Sequence, residues 1–245
     1  MTYKDCLVVI PTFNEAENIE SLIHAILENL PRVHVLIIDD GSPDGTLAIC
    51  QRISALNANV LIFSRKLKLG LASAFVYGLE RGLAEGYKNV VLMDGDGSHR
   101  VLDLVELLIK SNHDIEAQLV LGSRWIKGGR VINWPWHRIL LSHFGNTYAR
   151  WALGIKVYDV TSGFRVFRRE LIEKIDFEKI ESEGFCFHIE MTKIVSELKQ
   201  NIVEVPIIFV EREFGKSKMN FAIAFESLQN VTIWGLKKRF PFLGQ

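Results

Sequence analysis

Two carboxylates one residue apart, Asp94 and Asp96, close the run V-V-L-M-D-G-D-G-S-H. Oxygen ligands at that spacing suit a hard divalent cation, Mg²⁺ or Mn²⁺, which often completes its shell with substrate phosphate. An Asp/Gly turn after a strand has the same composition, so the pair gains meaning only from its surroundings. His99, next to it, reads either as a group behind the metal ligands or as a structural loop residue. Other loops carry chemistry too: Asn14 and Glu15 in T-F-N-E-A-E-N, Asp40 in D-D-G-S-P-D-G-T, and Arg124 in G-S-R. Further on, Arg212, Lys216 and Lys218 make a local basic loop in E-R-E-F-G-K-S-K.

The elements that must position these groups alternate. Apolar runs at residues 6–10, 33–38, 60–63, 90–93 and 119–122 read as buried strands, the first stopped by Pro11. Helical spacing of Ile19, Leu22, Ile23, Ile26 and Leu27 predicts a helix to about residue 30. Further helices are expected to about residue 56, over 70–85 and over 101–111, the second rich in small residues that permit close packing on a sheet. Strand and helix in alternation with short loops mean a parallel α/β sheet. Glu15, Asp40 and the Asp94/Asp96 pair then all follow C-terminal strand ends, the ligand edge of such sheets. Neither G-x-G-x-x-G nor G-x-x-x-x-G-K-[ST] follows the first strand, so phosphates would be met by metal and basic side chains.

The second half changes character. Trp136, Leu140, Phe144, Tyr148 and Trp151/Ala152 recur at steps of three and four, an apolar helical stripe. Arg138, Ser142 and Asn146 step by four along another face, either binding an anion or simply facing solvent. Trp134, Trp136 and Trp151 with nearby arginines suit a membrane interface or core packing. Residues 159–167 read as a turn into a strand, 183–198 as a helix and 202–210 as one further strand. The segment 221–240, ending Lys237-Lys238-Arg239, reads as an amphipathic helix that either faces anionic lipid or completes the core.

Bulk properties bound the reading. With 245 residues and 48% hydrophobic content the chain has material for one large core. Lysine plus arginine and aspartate plus glutamate both number 29, which argues against a general nucleic-acid binder. Cys6, Cys50 and Cys186 have no metal or redox spacing and read as reduced core residues of a cytosolic protein. The N-terminus enters a strand almost at once and does not read as a signal peptide. No run approaches the roughly 20 apolar residues of a membrane span. The expected organisation is a catalytic domain over 1–218 with a C-terminal amphipathic helical appendage over 219–245.

P-T-F-N-E, D-D-G-S-P-D-G-T, M-D-G-D-G-S-H, G-S-R, N-W-P-W-x-R-x-x-x-S, T-S-G-F-R and V-E-R-E-F-G-K-S-K occur in this order along almost the whole chain. In that order they resemble glycosyltransferase family 2, within it the dolichol-phosphate or polyprenol-phosphate mannose synthase group. The resemblance implies a GT-A nucleotide-sugar transferase fold: an α/β structure with a mostly parallel central sheet flanked by helices and with amphipathic interface helices. It implies transfer of mannose from GDP-mannose to a polyprenyl phosphate lipid, with inversion, by an enzyme peripheral to the cytoplasmic face of a membrane. A membrane-anchoring partner protein is compatible with that setting. Matching positions imply donor contacts at Pro11, Phe13, Glu15, Ile38 and Asp40, with Asp94, Gly95, Asp96 and Ser98 at metal and diphosphate. Asp94, Asp96 and Ser98 would be the metal ligands, and Arg124, Arg212 and Lys218 would meet donor phosphates or the reacting centre. Arg124, Arg138 and Ser142 would meet the acceptor phosphate; with Asp96 they form the implied catalytic set. Departures from the pattern are Phe13 where tyrosine is common, Gly95 for a frequent alanine, Ser98 where Gln or Ser stands, and Arg100 for a proline.

Overall fold

The structure, a computed structural model, describes residues 5–212 and 221–240. Its first half is the alternation expected: β1 (Cys6–Thr12), α1 (Ile19–Asn29), β2 (His34–Asp39), α2 (Thr46–Leu56), β3 (Val60–Ser64), α3 (Leu71–Ala84), β4 (Asn89–Leu92), α4 (Val101–His113) and β5 (Leu119–Ser123). There follow β6 (Arg130–Ile132), α5 (Trp136–Leu153), β7 (Arg165–Arg168), α6 (Arg169–Ile172), α7 (Cys186–Glu197), β8 (Ile202–Pro206), β9 (Ile208–Val210) and α8 (Phe221–Arg239).

Seven strands form one sheet in the order β3-β2-β1-β4-β7-β5-β8, and β6 pairs with β9 in a small parallel ribbon. All pairs in the large sheet are parallel except those of β7, which runs antiparallel to both β4 and β5. The strands are apolar on both faces because helices cover both. One core holds Ile19, Ile23 and Ile26 of α1 with Leu104, Leu107 and Leu108 of α4; the other holds Phe75 and Leu79 of α3 with Phe187 and Met191 of α7. The small-residue reading of α3 has a physical basis: a Cβ on Gly78 would collide with Val9, and one on Gly82 with Val90.

Strand order reverses between β1 and β4, and a crevice opens beyond their C-terminal ends, where ligands bind in open α/β sheets. Pro11 does not stop β1: it pairs with Ile38, and Thr12 pairs with Asp39. Pro11 lies past the last β1–β4 pair, Val9↔Leu92, so its missing N–H breaks no ladder bond. The single strand expected over 202–210 is two. Pro206 ends β8 on the main sheet, Ile207 turns inward, and β9 crosses to pair with β6.

α8 packs on α5 and α7. Tyr148 and Thr232 hydroxyls meet at 2.7 Å, Lys238 Nζ donates to the Leu153 carbonyl at 2.5 Å, and a Cβ on Gly235 would lie 2.9 Å from the Ala152 carbonyl oxygen. The expected boundary at 218/219 lies outside the described residues, as do Lys216 and Lys218.

Candidate active site

Two loops at the first strand ends are stitched together. Asn14 turns the chain with φ 59°, and its N–H donates to Ser42 Oγ at 3.0 Å. The Glu15 N–H donates to Thr46 Oγ1 at 2.9 Å and the Ala16 N–H to Asp44 Oδ2 at 3.1 Å. Asp39 accepts bonds from Thr12 Oγ1 and from the Gly41 and Ser42 N–H groups. Asp40 is buried, ion-paired with Arg65, and accepts the Gly70 N–H at 3.0 Å. These aspartates thus build the loops. Glu15 is buried and also accepts a bond from Asn18 Nδ2. Phe13 is half-buried with Lys68 Nζ 4.0 Å over its ring, while the Ile38 side chain is wholly inside the core.

Asp94, Gly95 and Asp96 turn directly off β4. Gly95 presses on the end of β1: a Cβ there would lie 3.1 Å from the Pro11 carbonyl oxygen. Asp96 is 6% exposed, accepts the Ser98 N–H on Oδ1 at 3.0 Å, and pairs through Oδ2 with Arg212 Nη2 at 2.8 Å. His99 lies between Phe164 and Phe209, ring centroids 4.5 and 5.3 Å away, with Nε2 3.3 Å from Asp94 Oδ2. On the other side His188 of α7 approaches across Gly163, where a Cβ would lie 3.0 Å from His188 Nε2 and 3.6 Å from Asp94 Oδ1. Burial works against ionisation of Asp94, but His99, His188 and Arg212 outweigh it and hold the carboxyl below its usual range. Burial and then the Arg165 charge push His188 down to about 3, so it is neutral at physiological pH.

These residues fit a divalent cation that shares its shell with a substrate. Among the described residues no three His, Cys, Asp or Glu side chains converge as a metal set. Two carboxylates are present, and the Ser98 hydroxyl beside them is buried with no hydrogen-bond partner. An orphaned oxygen next to paired carboxylates suits Mg²⁺ or Mn²⁺, which keep positions open for water and phosphate.

Arg124 leaves β5 into a fixed socket. Its Nε and Nη2 donate to Asp159 at 2.7 Å each, and Nη2 also reaches Thr161 Oγ1 at 2.8 Å. Trp125, Trp134 and Phe209 surround the guanidinium, with ring centroids 5.5 to 5.6 Å from its carbon. The Thr161 loop is tied in turn to α5: Asn146 Nδ2 donates to Thr161 Oγ1, and the Thr161 N–H donates to Asn146 Oδ1. Arg165, fully buried, braces the same loop by donating to the Ser162 and Val160 carbonyls; burial pulls its pKa down to about 9.

The N-terminal part of α5 is therefore turned inside out relative to an ordinary surface helix, while Ala149, Ala152 and Leu153 near its C-terminal end pack into the core. Asn146 is buried and Arg138 and Ser142 are half-buried, while Trp136 (73%), Phe144 and Trp151 (63%) of the apolar stripe are exposed. Neither a solvated polar row nor core packing of Trp136 and Trp151 describes it. Trp134 does pack: Arg138 stacks on its ring at 4.0 Å and Phe209 meets it edge-on. Arg138 Nη1 also pairs with Glu211 at the end of β9.

The crevice thus gathers Asp94, Asp96, Ser98 and Arg212 around one centre. Arg124, Arg138 and Trp134 stand close by through Phe209. Gly95 lies against Pro11 at the end of β1, whereas Phe13, Glu15 and Asp40 belong to the neighbouring loops. Sequence reasoning passed over Asp159, Gly163, His188 and Glu211. Gly163 was legible only as part of T-S-G-F-R, and the Glu211 pairing depends on a strand crossing that periodicity does not encode.

Comparison with known proteins agrees with this architecture. The sequence profile described as glycosyl transferase family 2 matches residues 7–176. The chain is 43% identical over 234 residues to polyprenol monophosphomannose synthase of Mycolicibacterium smegmatis, covering 95% of this chain and 88% of the relative. It is 41% identical over 237 residues to undecaprenyl-phosphate mannosyltransferase of Micrococcus luteus, covering 97% and 96%. Among solved structures, glucosyl-3-phosphoglycerate synthase of Mycobacterium tuberculosis in complex with Mn²⁺ and UDP-glucose superimposes with a TM-score of 0.66 at 20% identity, covering 95% of this chain and 78% of that one. That likeness supports the GT-A-like fold, a mostly parallel sheet between helices. With the profile spanning most of the sequence and both relatives matched nearly end to end, this chain belongs to glycosyl transferase family 2 and is a glycosyltransferase.

Proposed function

We propose that the protein transfers mannose from GDP-mannose to a polyprenyl phosphate, inverting the anomeric carbon, while lying peripherally on the cytoplasmic face of a membrane. The names of the two relatives supply the sugar and the lipid class. The observation that carries the reading is the inverted helix α5. Its inward face brings Arg138 and Ser142 toward the crevice and its outward face presents Trp136, Leu140, Leu141, Phe144 and Trp151. An anionic head group and a lipid tail need these two faces on one element. Exposed Phe225, Ile233 and Leu236 of α8, with Lys237 beside them, extend the same surface. No described helix is long and apolar enough to cross a membrane, so contact would be peripheral, with or without an anchoring partner protein.

The acceptor oxygen is already anionic, so no general base is required. The main task is to bring two anions together in line. Arg138 meets the acceptor phosphate with paired donors, and Ser142, one turn on, adds a hydroxyl. Arg124 contributes a positive charge that Asp159 keeps from moving. Asp94, Asp96 and Ser98 would hold a divalent cation, which would supply positive charge to neutralise the departing diphosphate. Arg212 leaves Asp96 for the donor phosphates, joined in this reading by Lys218. Pro11, Phe13, Glu15, Asp40 and Gly95 shape the nucleotide side, and Ile38, its side chain wholly in the core, supports it from behind.

A panel of radiolabelled sugar nucleotides with a polyprenyl phosphate, run together with liposome flotation, tests the proposal. Mannosyl lipid of inverted configuration and co-flotation with vesicles are expected. Equal or better transfer from UDP-glucose would reject the donor, and failure to float would reject the membrane setting.

A further inference from the structure

Arg138 is not waiting with an open hand. Its guanidinium stacks on Trp134 at 4.0 Å, and Nη1 is paired with the Glu211 carboxylate. The two charged side chains are 27% and 25% exposed, so the pair is partly desolvated yet reachable from the crevice mouth. The Glu211 backbone is fixed: its N–H donates to the Ile132 carbonyl at 3.0 Å, and the preceding Val210 N–H donates to the Ser98 carbonyl at 3.1 Å. A carboxylate is thus tethered where an acceptor anion would bind, free to rotate away at the side chain but not to leave.

We propose that Glu211 is an internal counter-anion of Arg138, a built-in competitor that the acceptor phosphate displaces on binding. The inference rests on Arg138 being the acceptor-phosphate residue. An acceptor anion takes the place of the Glu211 carboxylate on Arg138, so part of its binding free energy goes into breaking the pair. A phosphate monoester carries about 1.5 to 2 negative charges near neutral pH, and its oxygens fit the guanidinium fork in pairs. Breaking the pair costs the same whichever anion enters, so Glu211 lowers the affinity for every acceptor anion alike and keeps Arg138 neutralised until one arrives. Trp134 holds the guanidinium plane during the exchange, so Arg138 need not reorient when Glu211 swings out.

The test compares farnesyl phosphate with farnesyl sulfate, the same tail with a dianionic and a monoanionic head, by isothermal titration calorimetry on the full chain. The wild type is expected to favour the phosphate. Glu211→Gln should tighten both ligands by about tenfold, because no carboxylate has to be displaced first. Glu211→Asp, which keeps the charge, should stay near the wild type. Arg138→Gln should weaken both ligands. Unchanged affinities in Glu211→Gln together with weakened binding in Arg138→Gln would overturn the role of Glu211 alone. Unchanged binding in Arg138→Gln would overturn the acceptor assignment of Arg138 and this inference with it.

Discussion

Replacing Asp159 by Asn should destabilise the protein by about 3–5 kcal/mol, because it removes the counter-charge of a buried arginine. Asp159 is fully buried and Arg124 only 8% exposed, so water cannot compensate. The carboxylate accepts the Arg124 N–H at 2.9 Å, the guanidinium at 2.7 Å on each oxygen and Thr161 Oγ1 at 3.2 Å. Asparagine keeps the volume but offers one acceptor oxygen where two are in use, and points an NH₂ at a cation. For a chain of this size each kcal/mol shifts Tm by roughly 2–4 °C, so a fall on the order of 10 °C is expected. Urea unfolding at neutral pH, followed by circular dichroism and tryptophan fluorescence, measures this as a lower midpoint at unchanged slope. Catalysis should also fall at temperatures where the variant is fully folded, since Arg124 loses its fixed pose. A loss below about 1 kcal/mol would refute the reasoning: the guanidinium would then draw its compensation from elsewhere.

Asp96→Ala should fold and bind vesicles yet lose turnover by about 10²-fold or more, and excess chelator should silence the wild type; a near-normal rate in chelator would remove the metal from the mechanism. Gly163→Ala places a methyl 3.0 Å from His188 Nε2 and should cost about 1–3 kcal/mol in a thermal melt, while Asp94 Oδ1, at 3.6 Å, stays in ordinary contact and keeps its place. All three cysteines are buried; burial, then Asp39 and Asp44, push Cys50 up to about 12, and burial raises Cys6 and Cys186 also. A thiol reagent at pH 8 should therefore label none in the native protein and three in denaturant, because the protonated thiol is unreactive.

The first half of the fold was legible because its signals are local. Apolar runs of four to six residues sit between helices with clear spacing, and the acidic loops fall at strand ends for topological reasons. Local signals also misled. Pro11 marks a strand end only where its N–H is needed, and beyond the last β1–β4 pair it is not. Residues 202–210 are apolar apart from Glu204, but Ile207 is buried in the core and the run divides there between two sheets. In α5 the period was read correctly and two faces were distinguished. Which face turns inward depends on what lies outside, and periodicity is silent on that. The partners of Arg124 and Arg138 are 35 and 73 residues away in sequence, so their pairing emerges only once the sheet is assembled.

The inverted helix has a consequence for engineering. Residues exposed on its outer face contribute little to the folding free energy, because Leu140 and Phe144 gain no core neighbours by being apolar there. Polar replacements at Leu140, Leu141 and Phe144 would give a chain that expresses and handles as a water-soluble domain with its crevice intact. Comparison of such a chain with the parent would separate what the catalytic crevice contributes from what the surface around it contributes.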